Sequence, residues 1–112
     1  MSADLQPIFR ALADPTRRQI LMDLSAQTMT IGQVADQFQI TRGAVKKHLV
    51  ILEEGGLISV RTKGRERVNR FEPNALNAAQ QWLNYFDRFW DDHLAALKQA
   101  VEKPESKRRK NL

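Results

Sequence analysis

The sequence predicts a mainly α fold with one small β-hairpin, in the order ααααββα, and three observations carry that prediction. Apolar residues recur every three or four positions through four short segments before residue 55 and through one long segment after residue 73. Between them, residues 57–71 are rich in β-branched and apolar side chains around a Lys63-Gly64 turn signal. Good N-caps and glycines fall where the helices would have to start and stop. A chain of 112 residues suits one compact core rather than two. We therefore expect a single domain over residues 1–103 and a flexible basic tail over residues 104–112, which lack apolar periodicity.

In chain order, Leu5, Ile8, Phe9 and Leu12 have helical spacing, and the segment ends at Asp14-Pro15. Asp14 can cap a second helix and Pro15 suits its first turn. Ile20, Leu21 and Leu24 form the buried stripe of that helix, over about residues 15–25. Thr28 to Thr30 is a connector that can hold a short strand. Thr30-Ile31-Gly32-Gln33 fits a capping box, so a third helix follows over about residues 31–37. Thr41 caps a fourth, at about residues 41–54, with Ala44, Val45, Leu49 and Leu52 on one face and a stop at Gly55-Gly56. Leu57 to Thr62 and Arg65 to Phe71 pair as the hairpin. Pro73-Asn74 then opens one long helix, with Leu76, Ala79, Leu83, Phe86, Trp90, Leu94, Leu97 and Val101 along it.

Two short helices joined by a tight turn and followed by a hairpin make a winged helix-turn-helix. Ala35 is small where the two helices must approach, Ile40 fills the turn from inside, and Val45 anchors the second helix on the first. Gln39 stands in the turn where glycine commonly relieves left-handed strain, a departure worth roughly 1 kcal/mol. The apolar set leaves Thr41, Arg42, Gly43, Lys46, Lys47 and Val50 outward, toward the end of such a helix that enters a major groove. Gly43 permits close backbone approach, Arg42 suits guanine or phosphate, and Lys46 and Lys47 suit phosphates as point charges.

Charge distribution agrees. The formal net charge is +5, and residues 61–70 hold Arg61, Lys63, Arg65, Arg67 and Arg70 against the single acid Glu66. Such a strip gains free energy by displacing counterions from a polyanion. With no cysteine there are no disulfides, thiolate metal sites or cysteine nucleophiles, and an intracellular chain is expected. No apolar run approaches the length of a signal or membrane segment, so a cytoplasmic location is expected, at the nucleoid when DNA is bound. Two histidines, no phosphate-cradling glycine loop and no paired carboxylates on a cleft argue against an enzyme, and no cofactor is expected.

The stretches Phe9-Arg10-Ala11-Leu12-Ala13-Asp14-Pro15-Thr16-Arg17-Arg18-Gln19-Ile20-Leu21 and Val45-Lys46-Lys47-His48-Leu49-Val50-Ile51-Leu52-Glu53-Glu54-Gly55-Gly56-Leu57 closely resemble the ArsR/SmtB family of bacterial winged-helix repressors. The resemblance covers about residues 5–100, and Gly64-Arg65, Val68 and Phe71 agree with its wing. It implies a homodimer that binds a palindromic operator and represses transcription, with His48 close to the DNA backbone, while the basic run itself puts the wing residues Lys63, Arg65 and Arg67 on DNA. The family is known for metal sensing, yet its ligand positions here hold other residues. Thr30 and Gly32 replace a Cys-x-Cys pair, and Pro73, Ala75, Phe86 and Phe89 replace the ligands of the last-helix site. Asp91-Asp92-His93 lies downstream without a matching His-x-x-Glu, so no metal site is assigned. His48 has a plainer role open to it, packing or hydrogen bonding at the core's edge.

Trp82, Tyr85, Phe86, Phe89 and Trp90 fall within nine positions and spread over more than one helical stripe. One small core can hardly cover them. A symmetry mate, with Leu5 and Ile8 of the first helix joining the interface, is the simplest cover. A small-molecule pocket between those helices is the alternative, and an unidentified small-molecule or protein effector stays open. A protein-interaction or non-specific nucleic-acid module on the same fold is the rival function.

Overall fold

The computed structural model describes residues 4–102. Helices α1 (Gln6–Leu12), α2 (Pro15–Ala26), α3 (Ile31–Phe38) and α4 (Arg42–Glu54) are followed by strands β2 (Ile58–Lys63) and β3 (Glu66–Phe71), and by helices α5 (Pro73–Asn84) and α6 (Asp87–Glu102). A two-residue strand β1 (Met29–Thr30) precedes α3 and makes the wing a three-stranded antiparallel sheet in the order β1-β3-β2. The expected basic tail lies outside the described residues. The chain forms two compact units, divided between Gln80 and Gln81.

The first unit is built on the caps the sequence announces. Asp14 Oδ2 accepts from the Arg17 amide at 3.0 Å, and that bond is the main reason its carboxyl titrates below the ordinary range. Thr30 Oγ1 accepts from the Gln33 amide at 3.2 Å while Gln33 Oε1 accepts from the Thr30 amide at 2.8 Å, completing the capping box. Thr41 Oγ1 accepts from the Ala44 amide at 3.1 Å. α4 ends in a full Schellman motif: the Leu57 amide reaches Leu52 O at 3.0 Å, the Gly56 amide reaches Glu53 O at 2.9 Å, and Gly56 takes φ 71°. Leu52 and Leu57, which that motif brings together, are both fully buried.

The core gathers Ile8 and Ala11 of α1, Ile20, Leu21 and Leu24 of α2, Val34 and Ala35 of α3, Val45, Leu49 and Leu52 of α4, and Met29, Leu57, Ile58 and Ala79. Ile8, expected at a dimer interface, is only 5% exposed, and Leu5 is half-buried against the same cluster. Helical spacing identifies the apolar face of α1, but α4 and α2 of the same chain cover it, because the Asp14-Pro15 break turns the chain back on itself.

The helix-turn-helix turn carries its strain at Gln39, with φ 56° and ψ 41°, and the Ile40 amide bonds to Ala35 O at 3.3 Å. Gln39→Gly should stabilise the protein by about 0.5–1 kcal/mol, since relief of roughly 1–2 kcal/mol of left-handed strain exceeds the entropy glycine adds to the unfolded chain. A rise in the denaturant midpoint at constant m-value checks this.

In two places the elements differ from expectation. The hairpin turns through Gly64-Arg65, because Lys63 pairs with Glu66 as the last rung, and Gly64 alone takes positive φ, at 64°. This is the pattern of a primed turn with glycine first. The long final helix is two helices: the Tyr85, Phe86 and Phe89 amides bond to the carbonyls of Trp82, Leu83 and Phe86, three residues back. Asn84, Tyr85, Phe86 and Asp87 are successive weak helix formers, and the chain tightens there. In this second unit Phe86 is half-buried among rings, its centroid 5.1 Å from those of Trp82 and Tyr85 and 6.1 Å from that of Phe89.

Candidate nucleic-acid interface

Buried Val45, Leu49 and Leu52 and half-buried Ala44 hold α4 in place and leave Thr41, Arg42, Gly43, Lys46 and Lys47 exposed. The side chains differ in what they are free to do. The Thr41 hydroxyl caps α4. Gly43 meets only Thr41 Oγ1, 4.0 Å from where a Cβ would lie, so the backbone is open there. Lys46 and Lys47 project from one surface groove, together with Gly43, Val50 and Glu54.

Strand alternation sorts the wing. Val60, Asn69, Thr62 and Arg67 share one face of the hairpin, paired Val60 to Asn69 and Thr62 to Arg67. That face turns toward α4, since Lys46, Leu49, Val50 and Glu53 line a cleft with Val60, Arg67 and Asn69. Arg42 at the start of α4 shares a second groove with Thr30 to Gly32 and with Arg65, Glu66 and Arg67. The cations of helix and wing thus form one continuous strip, Arg42 and Lys46 beside Arg65 and Arg67. Lys63 does not join it. Its rung, with Glu66, lies on the other face, where it shares a groove with Arg61 and Arg70.

Asn69, which the sequence reading passed over, is 2% exposed, and its Nδ2 donates to Met29 O at 3.1 Å. It is paired in register with Met29, so a buried polar side chain ties the central wing strand to β1. An asparagine, a residue depleted from strands, standing between Val68 and Arg70 in the hairpin was the available signal.

His48 is half-buried on the inner flank of α4, where its Nδ1 lies 3.5 Å from Arg17 Nη1. Arg17 also donates through Nε to Ala11 O and through Nη2 to Arg10 O, both at 2.9 Å, while Arg18 Nη1 donates to Leu12 O at 2.7 Å. These arginines satisfy the end carbonyls of α1, and Arg17 carries that end to His48. Their role escaped the sequence reading, although cations one turn beyond a helix end are a recognisable cue. Among the described residues no group of His, Cys, Asp and Glu is assembled that could hold a metal ion, and no helix is long and apolar enough to cross a membrane.

A helix-turn-helix whose second helix presents cations beside a cationic hairpin defines the class of winged-helix DNA-binding proteins. Comparison with known proteins agrees. Residues 12–61 match the family model described as a helix-turn-helix domain. The chain is 34% identical over 94 residues to the HTH-type transcriptional regulator Rv2034 of Mycobacterium tuberculosis, covering 84% of this chain and 85% of the relative. It is 33% identical over 87 residues to the transcriptional repressor SdpR of Bacillus subtilis, covering 78% and 97%. The crystal structure of an ArsR family transcriptional regulator superposes with a TM-score of 0.72 at 34% identity, over 81% of this chain and 97% of that one. The chain belongs to the ArsR/SmtB family of winged helix-turn-helix transcriptional regulators.

Proposed function

We propose that the protein is a homodimeric, sequence-specific repressor that binds an inverted-repeat operator, with α4 in the major groove and the wing against the flanking backbone. The observation that carries this is the strip of Arg42, Lys46, Arg65 and Arg67 shared between helix and wing. Gly43 and the lysines lie where base edges and phosphates would meet α4. Repression finds support in the likeness to SdpR, itself a transcriptional repressor. The regulator is deaf to metals at the family's usual positions, because Thr30 commits its hydroxyl to the Gln33 amide and Gly32 has no side chain to offer.

Dimerisation rests on the second unit. Trp82, Leu83, Tyr85, Phe89, Trp90, Leu94, Leu97 and Val101 are all exposed. Along α6 the sequence Trp90, Leu94, Leu97, Val101 steps by four, three and four, the spacing of a coiled-coil seam. Trp90→Glu combined with Leu94→Glu should therefore give a monomer by sedimentation, with the melting temperature of the first unit unchanged.

Selection from a randomised duplex library with the purified protein tests the reading. It should enrich inverted repeats with half-sites about one helical turn, or a small multiple of it, apart. Equal affinity for enriched and random duplexes at physiological salt would instead make this a non-specific nucleic-acid or protein-interaction module.

A further inference from the structure

We propose that Gly32 is a positioning residue of the DNA interface: its missing side chain is the seat of the Arg42 guanidinium, and it holds that group as a backbone clamp beside the wing tip. A Cβ on Gly32 would stand 2.7 Å from Arg42 Nη2, 3.3 Å from Cζ and 3.7 Å from Nε. The guanidinium therefore rests against the first turn of α3, in space that a side chain at position 32 would enter and from which it would push the guanidinium away. Arg65, Glu66 and Arg67 line the same groove, so three arginines against one acid border it between the starts of two helices and the wing tip. Their shared target is a phosphodiester of the duplex, for which a planar donor fork is suited.

Local propensity argues that glycine is here for this reason. Gly32 has an ordinary helical backbone, since the positive-φ residues are Gln39, Gly56 and Gly64. Alanine would stabilise the helix there. A glycine that costs helix stability and meets no backbone need is a local conflict of the kind functional sites carry. Arg42 is thus drawn toward α3 and the wing, which makes it a grip on the backbone rather than a reader of bases.

The inference rests on the DNA-binding reading above, and one set of proteins separates the two. Full-length wild type, Gly32→Ala, Gly32→Leu, Arg42→Ala and Gly32→Leu with Arg42→Ala are titrated with a duplex enriched by the wild type and with a mixed-sequence duplex of equal length, across a salt series. Arg42→Ala should weaken binding to both duplexes by roughly tenfold and reduce the slope of log affinity against log salt by about 0.9. Gly32→Leu should approach that loss, Gly32→Ala should fall between it and wild type, and the double variant should bind no worse than Arg42→Ala alone. Melting temperatures of the Gly32 variants should not fall, which a merely structural glycine would not allow. Wild-type affinity in Gly32→Leu, losses that multiply in the double variant, or a loss confined to the enriched duplex would overturn the seat. A wild type that enriches no duplex and does not bind the mixed-sequence one would overturn the DNA-binding reading, and the seat with it.

Discussion

Gly55→Ala should destabilise the protein by about 2 kcal/mol, lowering its melting temperature by about 10 °C. The sign is what makes this informative. Gly55 ends α4 with φ −80° and ψ −1°, a conformation alanine adopts without strain, so helix propensity alone predicts a gain of up to about 1 kcal/mol. Its surroundings predict the reverse. A Cβ there would stand 2.9 Å from Pro7 O, 3.4 Å from Pro7 C and 3.5 Å from Ile8 Cα, all backbone atoms of α1 with no rotamer to escape into. Nor can α1 withdraw cheaply: Ile8 and Ala11 are buried under it, and Arg17 and Arg18 hold its end carbonyls. Thermal unfolding of the variant decides the matter, and a melting temperature at or above wild type would mean that α1 yields. Gly56 is glycine for a different reason, since a Cβ there meets only Ala75 Cβ at 3.7 Å but the backbone sits at φ 71°.

The largest expected effect on binding comes from the strip that joins helix and wing. Changing Lys46, Arg65 and Arg67 together to glutamine should reduce the slope of log affinity against log salt by about 2.7, three phosphate contacts at about 0.9 each. At physiological salt the affinity for any duplex should fall by roughly 10²-fold or more, with the preference for the enriched site largely kept, because phosphate contacts position the protein and base contacts specify the sequence. All three side chains are exposed and outside the core, so the melting temperature should stay near wild type. Fluorescence anisotropy over a salt series measures both quantities. An unchanged slope would place the phosphate grip elsewhere, with Lys63, Arg61 and Arg70 on the opposite face of the hairpin as the next candidates.

Much of this molecule was legible in the order of its residues, and the legible parts have one thing in common: they are local. Asp14, Thr30 and Thr41 cap helices through bonds to amides three residues on, and Gly56 closes α4 through bonds spanning a few positions. The periodic apolar faces of α2, α3 and α4 and the exposed cationic face of α4 follow from the same short-range geometry. So did the strained turn at Gln39. The break in the last helical segment was local too, but the run from Leu83 through Phe86 to Trp90 has apolar spacing that hides it. Periodicity reports which side of a helix is apolar and says little about whether the axis continues.

Spacing could not say what covers a face or which distant atoms meet. Ile8 and Leu5 look alike as interface and as core; the packing of α1 on α2 and α4 buries Ile8 and leaves Leu5 half-buried against the same cluster. Lys63, Arg65 and Arg67 read as one basic run, while the register of β2 on β3 set Arg67 beside α4 and Lys63 away from it. Gly32 and Arg42 are ten positions apart, Asn69 and Met29 forty, and Arg17 and His48 thirty-one; each pair meets only once the sheet and helices have packed. The sequence by itself determined the elements, their caps and the chemistry of the exposed helix face, because those depend on neighbours within a turn or two. Only the tertiary structure decided which cations form one strip and which glycines stand where a side chain would collide, because excluded volume between distant segments is set by how they pack.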